Sequence, residues 1–208
     1  MINDNITIHV VDDDPQTSQF LKELVSTINY KTQLYSCADE FLNQYKNDGV
    51  GCLILDLRLP GINGLELHNQ LIKNSVNLPV IMVTGYGDIP TAVKAMKAGI
   101  LDFIEKPFRS KLMIDLIHKA VKQHQAILDN KQADDEIKRL INSLTKRENE
   151  VRQLVVQGLQ NKDIATKLGI SIKTVEVHRA NAMNKMHANS IAELVRMCMQ
   201  VNDTGITD

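Results

Sequence analysis

The sequence predicts an α/β domain with a doubly wound, five-stranded parallel sheet, followed by an all-α domain of four helices. Three observations carry this. As far as residue 123, short apolar runs alternate with stretches of helical periodicity, the pattern of strands crossing over through helices. Every Phe, Tyr and Pro precedes residue 109, so the composition changes sharply after it. Charge divides in the same way: residues 1–139 carry fifteen Lys and Arg against eighteen acids, residues 140–198 nine against five. A basic segment joined to an acidic one suggests a tail that meets a polyanion.

Ile6–Val11 is a short apolar run that ends in Asp12-Asp13-Asp14-Pro15, a strand followed by a proline suited to a first helical turn. Phe20, Leu21, Leu24, Val25 and Ile28 then recur at helical spacing. Lys31–Ser36 reads as a weaker strand and Ala38–Tyr45 as a short helix. Cys52–Leu55 and Pro79–Val83 are continuous apolar runs, as suits strands covered on both faces, and they end at Asp56 and Thr84. Leu65–Ile72 and Pro90–Ala98 are helical, the second stopped by Gly99. Leu101–Glu105 is the last strand, ending at Lys106-Pro107, and Leu112, Leu116, Ile117 and Val121 mark a final helix.

Several classes of protein are excluded. No stretch is apolar enough for a membrane span, and Met1–Asn5 lacks the basic start of a secretory signal. Cys37, Cys52 and Cys198 form no Cys-x-x-Cys pair, which disfavours zinc and disulfides and fits reduced thiols in a cytoplasm. Gly85-Tyr86-Gly87 is too short for a dinucleotide fingerprint, and no phosphate-binding glycine loop exists to serve a kinase.

In open parallel sheets, ligands bind beyond the carboxyl ends of the strands. Four such ends carry polar groups here: Asp12 and Asp13, Asp56, Thr84 and Lys106. Three converging carboxylates repel unless a cation neutralises them. Mg2+ suits hard oxygen ligands and bridges carboxylate to phosphoryl oxygens. Asp56, alone at its strand end, suits a carboxylate nucleophile. Thr84 offers a hydroxyl and Lys106 a compact ammonium to a phosphoryl group. Lys106 precedes Pro107, where a cis bond is affordable.

The motifs Val11-Asp12-Asp13, Leu55-Asp56-Leu57-Arg58-Leu59-Pro60-Gly61-Ile62-Asn63-Gly64, Thr84-Gly85 and Lys106-Pro107-Phe108 resemble those of a CheY-like receiver domain, with its flavodoxin-like fold, over residues 6–123. The resemblance implies phosphorylation of Asp56 by a sensor histidine kinase. It implies Mg2+ held by Asp13, Asp56 and the backbone carbonyl of Arg58, with Asp12 acting through water. Thr84 and Phe103 match the family's switch pair, although Phe103 reads equally well as core. A magnesium-dependent phosphatase on this scaffold would need a second aspartate two residues after its nucleophile; that position is Arg58, so the chain is not read as an enzyme.

Residues 124–142 are polar, lack Pro and Gly, and keep a broken apolar stripe, so they read as a largely helical linker. Thr145 and Glu148 form a capping box for a helix that ends near Gly158. Asn161 reads as the cap of a short second helix, Gly169-Ile170 as a tight turn, and Ser171 as the cap of a third helix running to about His187. A fourth helix, Ile191–Gln200, is amphipathic. At a helical turn angle, Val175, Ala182 and Met186 face the core of the third helix. Lys173, Glu176, Val177, Ala180 and Asn184 face outward, where a recognition helix meets a major groove. Arg179 falls near the core side, and Lys162, Arg179 and Lys185 are candidates for phosphate contacts.

Leu144-Thr145-x-Arg147-Glu148-x-Glu150-Val151, Gly158-x-x-Asn161-Lys162-Asp163-Ile164-Ala165 and Ser171-x-x-Thr174-Val175-x-x-His178 resemble the LuxR-type helix-turn-helix of the NarL/FixJ class over residues 143–198, within a DNA-binding domain expected over 143–203. Lys146 stands where that family often has proline, and Met186 where it often has leucine. The resemblance adds Thr174 to the DNA-facing residues and places the helix-turn-helix at 161–180. Together the two resemblances imply a phosphorylation-activated transcriptional regulator of a two-component system, in the cytoplasm. Its expected partners are a kinase, promoter DNA, a second copy of the chain on phosphorylation, and RNA polymerase as a candidate. The implied dimer surface is Asp88–Ala98 with Leu101–Glu105.

Overall fold

A computed structural model of the chain describes residues 3–46, 49–85 and 89–201. Tyr86, Gly87, Asp88 and the end of the expected tail domain at 202–203 lie outside the described residues. The chain divides into two compact units, Met1–Leu128 and Asp129–Asp208. Among the described residues no helix is long and apolar enough to cross a membrane.

The first unit is the predicted parallel sheet. Strands β1 (Asn3–Val11), β2 (Tyr30–Tyr35), β3 (Val50–Asp56), β4 (Val80–Thr84) and β5 (Asp102–Glu105) lie in the order β2-β1-β3-β4-β5. Helices α1 (Pro15–Ser26), α2 (Ala38–Gln44), α3 (Gly64–Lys73), α4 (Ile89–Lys97) and the start of α5 (Ser110–Asn142) connect or follow them. Side-chain alternation along each strand feeds two cores. Ile8, Val10, Cys52, Ile54, Ile81 and Val83 pack with Leu21 and Leu24 of α1 and Met113 and Ile117 of α5. Val11, Leu53, Leu55, Val80 and Met82 pack with Phe41 of α2, Leu67 and Leu71 of α3 and Ala95 of α4. Each fully buried aliphatic side chain contributes about 1.5–3 kcal/mol relative to exposure, so these strands need both layers of helices.

The sheet order places the topological switch between β1 and β3, and the crevice that binds ligands in such folds opens at their carboxyl ends. Two glycines permit this geometry by close approach. A Cβ on Gly51 would meet the Thr7 carbonyl oxygen at 1.9 Å, and one on Gly64 would meet the Asp56 carbonyl oxygen at 2.3 Å. The second keeps the start of α3 against the end of β3. At the far end of β3, the Gly51 N–H donates to Nδ1 of His124 on α5 (3.0 Å).

The second unit holds α6 (Lys146–Val156), α7 (Asn161–Leu168), α8 (Ile172–Lys185) and α9 (Ile191–Gln200). Their core includes Val151, Leu154, Ile164, Val175, Met186, Leu194 and Cys198, and Ile137 and Ile141 of α5 belong to it. Val175, Ala182 and Met186 are buried as expected. Thr145 and Glu148 form the capping box, and Ser171 caps α8 by accepting from the Thr174 N–H. Gly169, at φ 66°, ends α7 in the left-handed region that glycine favours. None of the three cysteines is in a disulfide; Cys52 and Cys198 are buried and Cys37 is half-buried.

Residues 110–142 form one unbroken helix, so the expected final helix and the largely helical linker run on without a break. One expectation is corrected. Asn161 does not cap α7: the cap is Gln160, and the Asn161 carboxamide oxygen accepts from Arg179 Nη1 instead (2.9 Å).

His124 is 1% exposed, and burial holds its pKa below 6.5. Protonation of Nδ1 would set a proton against the Gly51 N–H, so the charged form is favoured in the unfolded chain. The resulting stability is present above pH 6.5 and is lost as pH falls through the lower folded value. Thermal unfolding followed by circular dichroism is therefore expected to show a midpoint that drops on acidification below 6.5. In His124→Ala the Gly51 N–H loses its partner, so stability at neutral pH falls by about 1–3 kcal/mol and the acid dependence flattens.

Candidate functional site

The end of β1 delivers three consecutive acids that do different things. Asp14 caps α1: its carboxylate accepts from the Thr17 hydroxyl (2.7 Å) and the Gln16 N–H (3.1 Å), and these bonds hold its pKa below the usual carboxylate range. Asp13 is exposed. Asp12 is buried; its Oδ1 accepts from the Asp14 N–H at 3.0 Å. Burial is the main influence on the Asp12 carboxyl and pushes its pKa up, against the pull of Lys106. A cleft beside Asp12 and Asp13 opens past Gln19, Ser36 and Glu40.

Asp56 stands at the end of β3. Its Oδ1 accepts from the Arg58 N–H (2.8 Å), which fixes the carboxylate on the first turn after the strand. Lys106 follows β5, and its backbone N–H donates to the Thr84 carbonyl (2.7 Å), extending the pairing of β4 with β5 by one residue. The Lys106–Pro107 bond is cis. The Lys106 ammonium bridges Asp12 Oδ2 (2.6 Å) and Asp56 Oδ2 (2.5 Å). Burial alone would lower the Lys106 pKa, but the hydrogen bonds and charges of Asp12 and Asp56 outweigh it and raise the value.

Carboxylate oxygens of Asp12, Asp13 and Asp56 lie within 4.8 Å of one another. Three acids facing one ammonium leave a local excess of negative charge in a partly desolvated pocket. The donors are all hard oxygens, so the set fits a small divalent cation that retains some water. Receiver domains bind Mg2+ at an acidic pocket of this kind. Thr84, at the end of β4, is fully buried. Phe103 is half-buried, in register with Met82, and packs against the second core. The strand ends thus bring Asp12, Asp13, Asp56 and Lys106 into direct proximity, with Thr84 on the adjoining strand and Phe103 one layer below.

A second surface lies on α7 and α8. Lys162, Lys173, Glu176, Val177, Ala180 and Asn184 are exposed, Val177 at 53%. Thr174 is half-buried, its hydroxyl 2.8 Å from that of Ser171. Arg179 is half-buried and ties α8 to α7 through Asn161, consistent with its place near the core side. Lys185, a candidate for a phosphate contact, is half-buried. Its ammonium donates to Glu148 Oε2 at 2.7 Å, so the charge is already matched inside the domain.

Two groups went unnoticed in the sequence. Glu148 read only as half of a capping box, yet it is buried and also pairs with Lys185; that hydrogen bond, first, and the Thr145 N–H hold its pKa at about 2. Arg152 entered only in the count of basic residues, yet it is 1% exposed, donating to Asn149 Oδ1 (2.9 Å) and Cys198 Sγ (3.0 Å). Its position beside Val151 and before Leu154 was the available signal.

Comparison with known proteins agrees with this layout. Residues 8–118 match the response regulator receiver domain, and residues 142–198 match the luxR family of bacterial regulatory proteins. The chain is 41% identical to the response regulator protein TmoT of Ectopseudomonas mendocina, over 95% of this chain and 90% of that protein. It is 40% identical to the transcriptional regulatory protein FixJ of Rhizobium meliloti (strain 1021), over 93% of this chain and 95% of that one. Among solved structures, the response regulator StyR superposes with a TM-score of 0.84 at 38% identity, covering 94% of this chain and 99% of that one. Full-length FixJ from B. japonicum matches with a TM-score of 0.59 at 36% identity, covering 97% and 98%. With both of its folded parts matched to the two halves of such proteins, the chain belongs to the response regulators that join a receiver domain to a LuxR-family DNA-binding domain.

Proposed function

We propose that Asp56 is the residue through which this phosphorylation-activated, DNA-binding regulator receives its signal. The observation that carries the reading is the Lys106 bridge between Asp12 and Asp56, which holds an acceptor carboxylate beside an ammonium at the mouth of an acidic pocket. An Asp56 oxygen attacks the phosphorus of a phosphohistidine on a sensor kinase. The P–O bond forms as the P–N bond breaks, and the histidine departs as imidazole. A Mg2+ ion held by Asp13, Asp56 and the Arg58 carbonyl, with Asp12 acting through water, would supply positive charge for phosphoryl oxygens. Lys106 gives up its Asp56 oxygen and pairs with the incoming phosphoryl group. The Thr84 hydroxyl donates to another phosphoryl oxygen, and Phe103 repacks with it.

The receiver spans residues 6–123, the helical connection 124–142 and the DNA-binding domain 143–203. Phosphorylation favours a homodimer through the outer face of α4 and β5. Ile89 (80% exposed), Val93 and Met96 supply an uncovered apolar stripe on α4 that supports this. The helix-turn-helix at 161–180 places α8 in a major groove of promoter DNA. Lys173, Thr174, Glu176, Val177, Ala180 and Asn184 face the bases, and Lys162, Arg179 and Lys185 lie toward the phosphates. Arg179 and Lys185 contribute less there, because each already has an internal partner. The protein acts in the cytoplasm, with RNA polymerase as the partner at the promoter.

Incubation with Mg2+ and acetyl phosphate is expected to add one phosphoryl group, located by mass spectrometry at Asp56. Asp56→Asn abolishes the label, and Asp13→Ala or omission of the metal reduces it at least tenfold, as removal of a metal ligand typically does. A label that persists in Asp56→Asn overturns the assignment.

Binding of the phosphorylated protein to duplex DNA is expected to weaken with salt at a logarithmic slope of about −0.9 per phosphate contact. Lys162→Ala lowers affinity for all sequences alike and reduces that slope by about one unit, measured by fluorescence anisotropy across a salt series. An unchanged slope removes Lys162 from the phosphate contacts.

A further inference from the structure

Among the described residues of α6 to α9, every acid but one has a cationic partner or a favourable place on its helix. Glu148 is paired with Lys185, Glu150 with Arg147 (2.8 Å) and Glu193 with Arg196 (3.8 Å). Asp163 lies in the first turn of α7, where the helix dipole favours negative charge. Glu176, in the second turn of α8, has neither compensation: among the described residues of α6 to α9 it forms no hydrogen bond or ion pair. It is exposed on the same face as Lys173 one turn before and Ala180 one turn after.

An unmatched carboxylate on a surface that meets a polyanion costs affinity at every sequence, unless it finds a donor at a base edge. In the major groove the donors are the N4 amino group of cytosine and the N6 amino group of adenine. Adenine also presents the N7 acceptor beside N6, while guanine and thymine present acceptors where the carboxylate would point. Cytosine alone offers a donor with no neighbouring acceptor on its own edge. The small side chain of Ala180 gives the Glu176 carboxylate room to approach a base, and exposed Val177 offers methyl groups beside it.

We propose that Glu176 is a base-selecting residue that accepts a hydrogen bond from a cytosine amino group and repels sequences lacking one. The inference rests on the reading that α8 enters a major groove. It makes Glu176 a determinant of specificity gained at the expense of non-specific affinity.

The test uses the full-length protein phosphorylated with acetyl phosphate and Mg2+. Duplexes are selected from a random pool by the wild type, Glu176→Ala and Val177→Ala, and affinities are then measured for the wild-type site and a scrambled duplex at one salt concentration. The wild-type site is expected to contain a C·G pair whose replacement by T·A weakens binding about tenfold, the lower range for a direct base contact. Glu176→Ala loses that preference, binds the scrambled duplex more tightly, and lowers the ratio of specific to non-specific affinity about tenfold. Val177→Ala changes a neighbouring position and keeps the cytosine. Equal thermal unfolding of Glu176→Ala and the wild type shows that the fold is not the cause. If Glu176→Ala enriches the same site and binds the scrambled duplex equally, the inference is overturned while the DNA-binding reading stands. If the wild type enriches no sequence at all, both fall.

Discussion

The bridge from Lys106 to Asp12 and Asp56 is the constraint around which the first unit is arranged. Its three members come from the ends of β1, β3 and β5, so the contact exists only when the sheet is assembled in its β2-β1-β3-β4-β5 order. The carboxylates are nearly buried, and such groups persist as ions only when paired. One ammonium cannot balance three acids, so the site retains a demand for positive charge. That residual demand makes the same cluster suited to a divalent cation and a phosphoryl group. Charge frustration confined to one end of the sheet is tolerable because the two cores beneath it are apolar and well packed.

Glu148 plays a comparable part in the second unit, with the opposite outcome. Its carboxylate closes the cap of α6 and takes the Lys185 ammonium from the last turn of α8. Here the charges balance. The contact joins the start of one helix to the end of another, and α8 is the helix proposed to face DNA. Arg179 makes the corresponding tie to α7 through Asn161. Both ends of the helix-turn-helix are thus fixed by side chains that would otherwise be read as spare surface charge. Specific recognition depends on this, since a base contact has value only when the backbone behind it holds still.

Much of this was legible in the sequence, for identifiable reasons. Buried parallel strands are written as continuous apolar runs, so Cys52–Leu55 and Pro79–Val83 were plain, and the polar residue that follows each run had to lie at the carboxyl end of its strand. The capping box at Thr145 and Glu148 and the glycine turn at Gly169 are local signals with local causes. What escaped depends on partners distant in sequence. The pairing of Lys185 with Glu148, remote along the chain, leaves no local trace in the sequence. Asn161 has the composition of a cap, but the arginine eighteen residues later claims its oxygen. The continuity of α5 was hidden because its middle is exposed on most sides, which erases the apolar stripe by which helices are recognised.

The last turns of α5 carry a consequence for how such proteins are recombined. Ile137 and Ile141 are side chains of the second core, although they sit on a helix that begins in the first. A gene fusion that joined this tail to a foreign receiver at residue 143 would discard two buried isoleucines, each contributing about 1.5–3 kcal/mol. The workable exchange point lies upstream, in the polar stretch before Ile137. Exchange of this chain's domains is thereby constrained to cuts inside a helix, where a splice must preserve the helical frame as well as the reading frame.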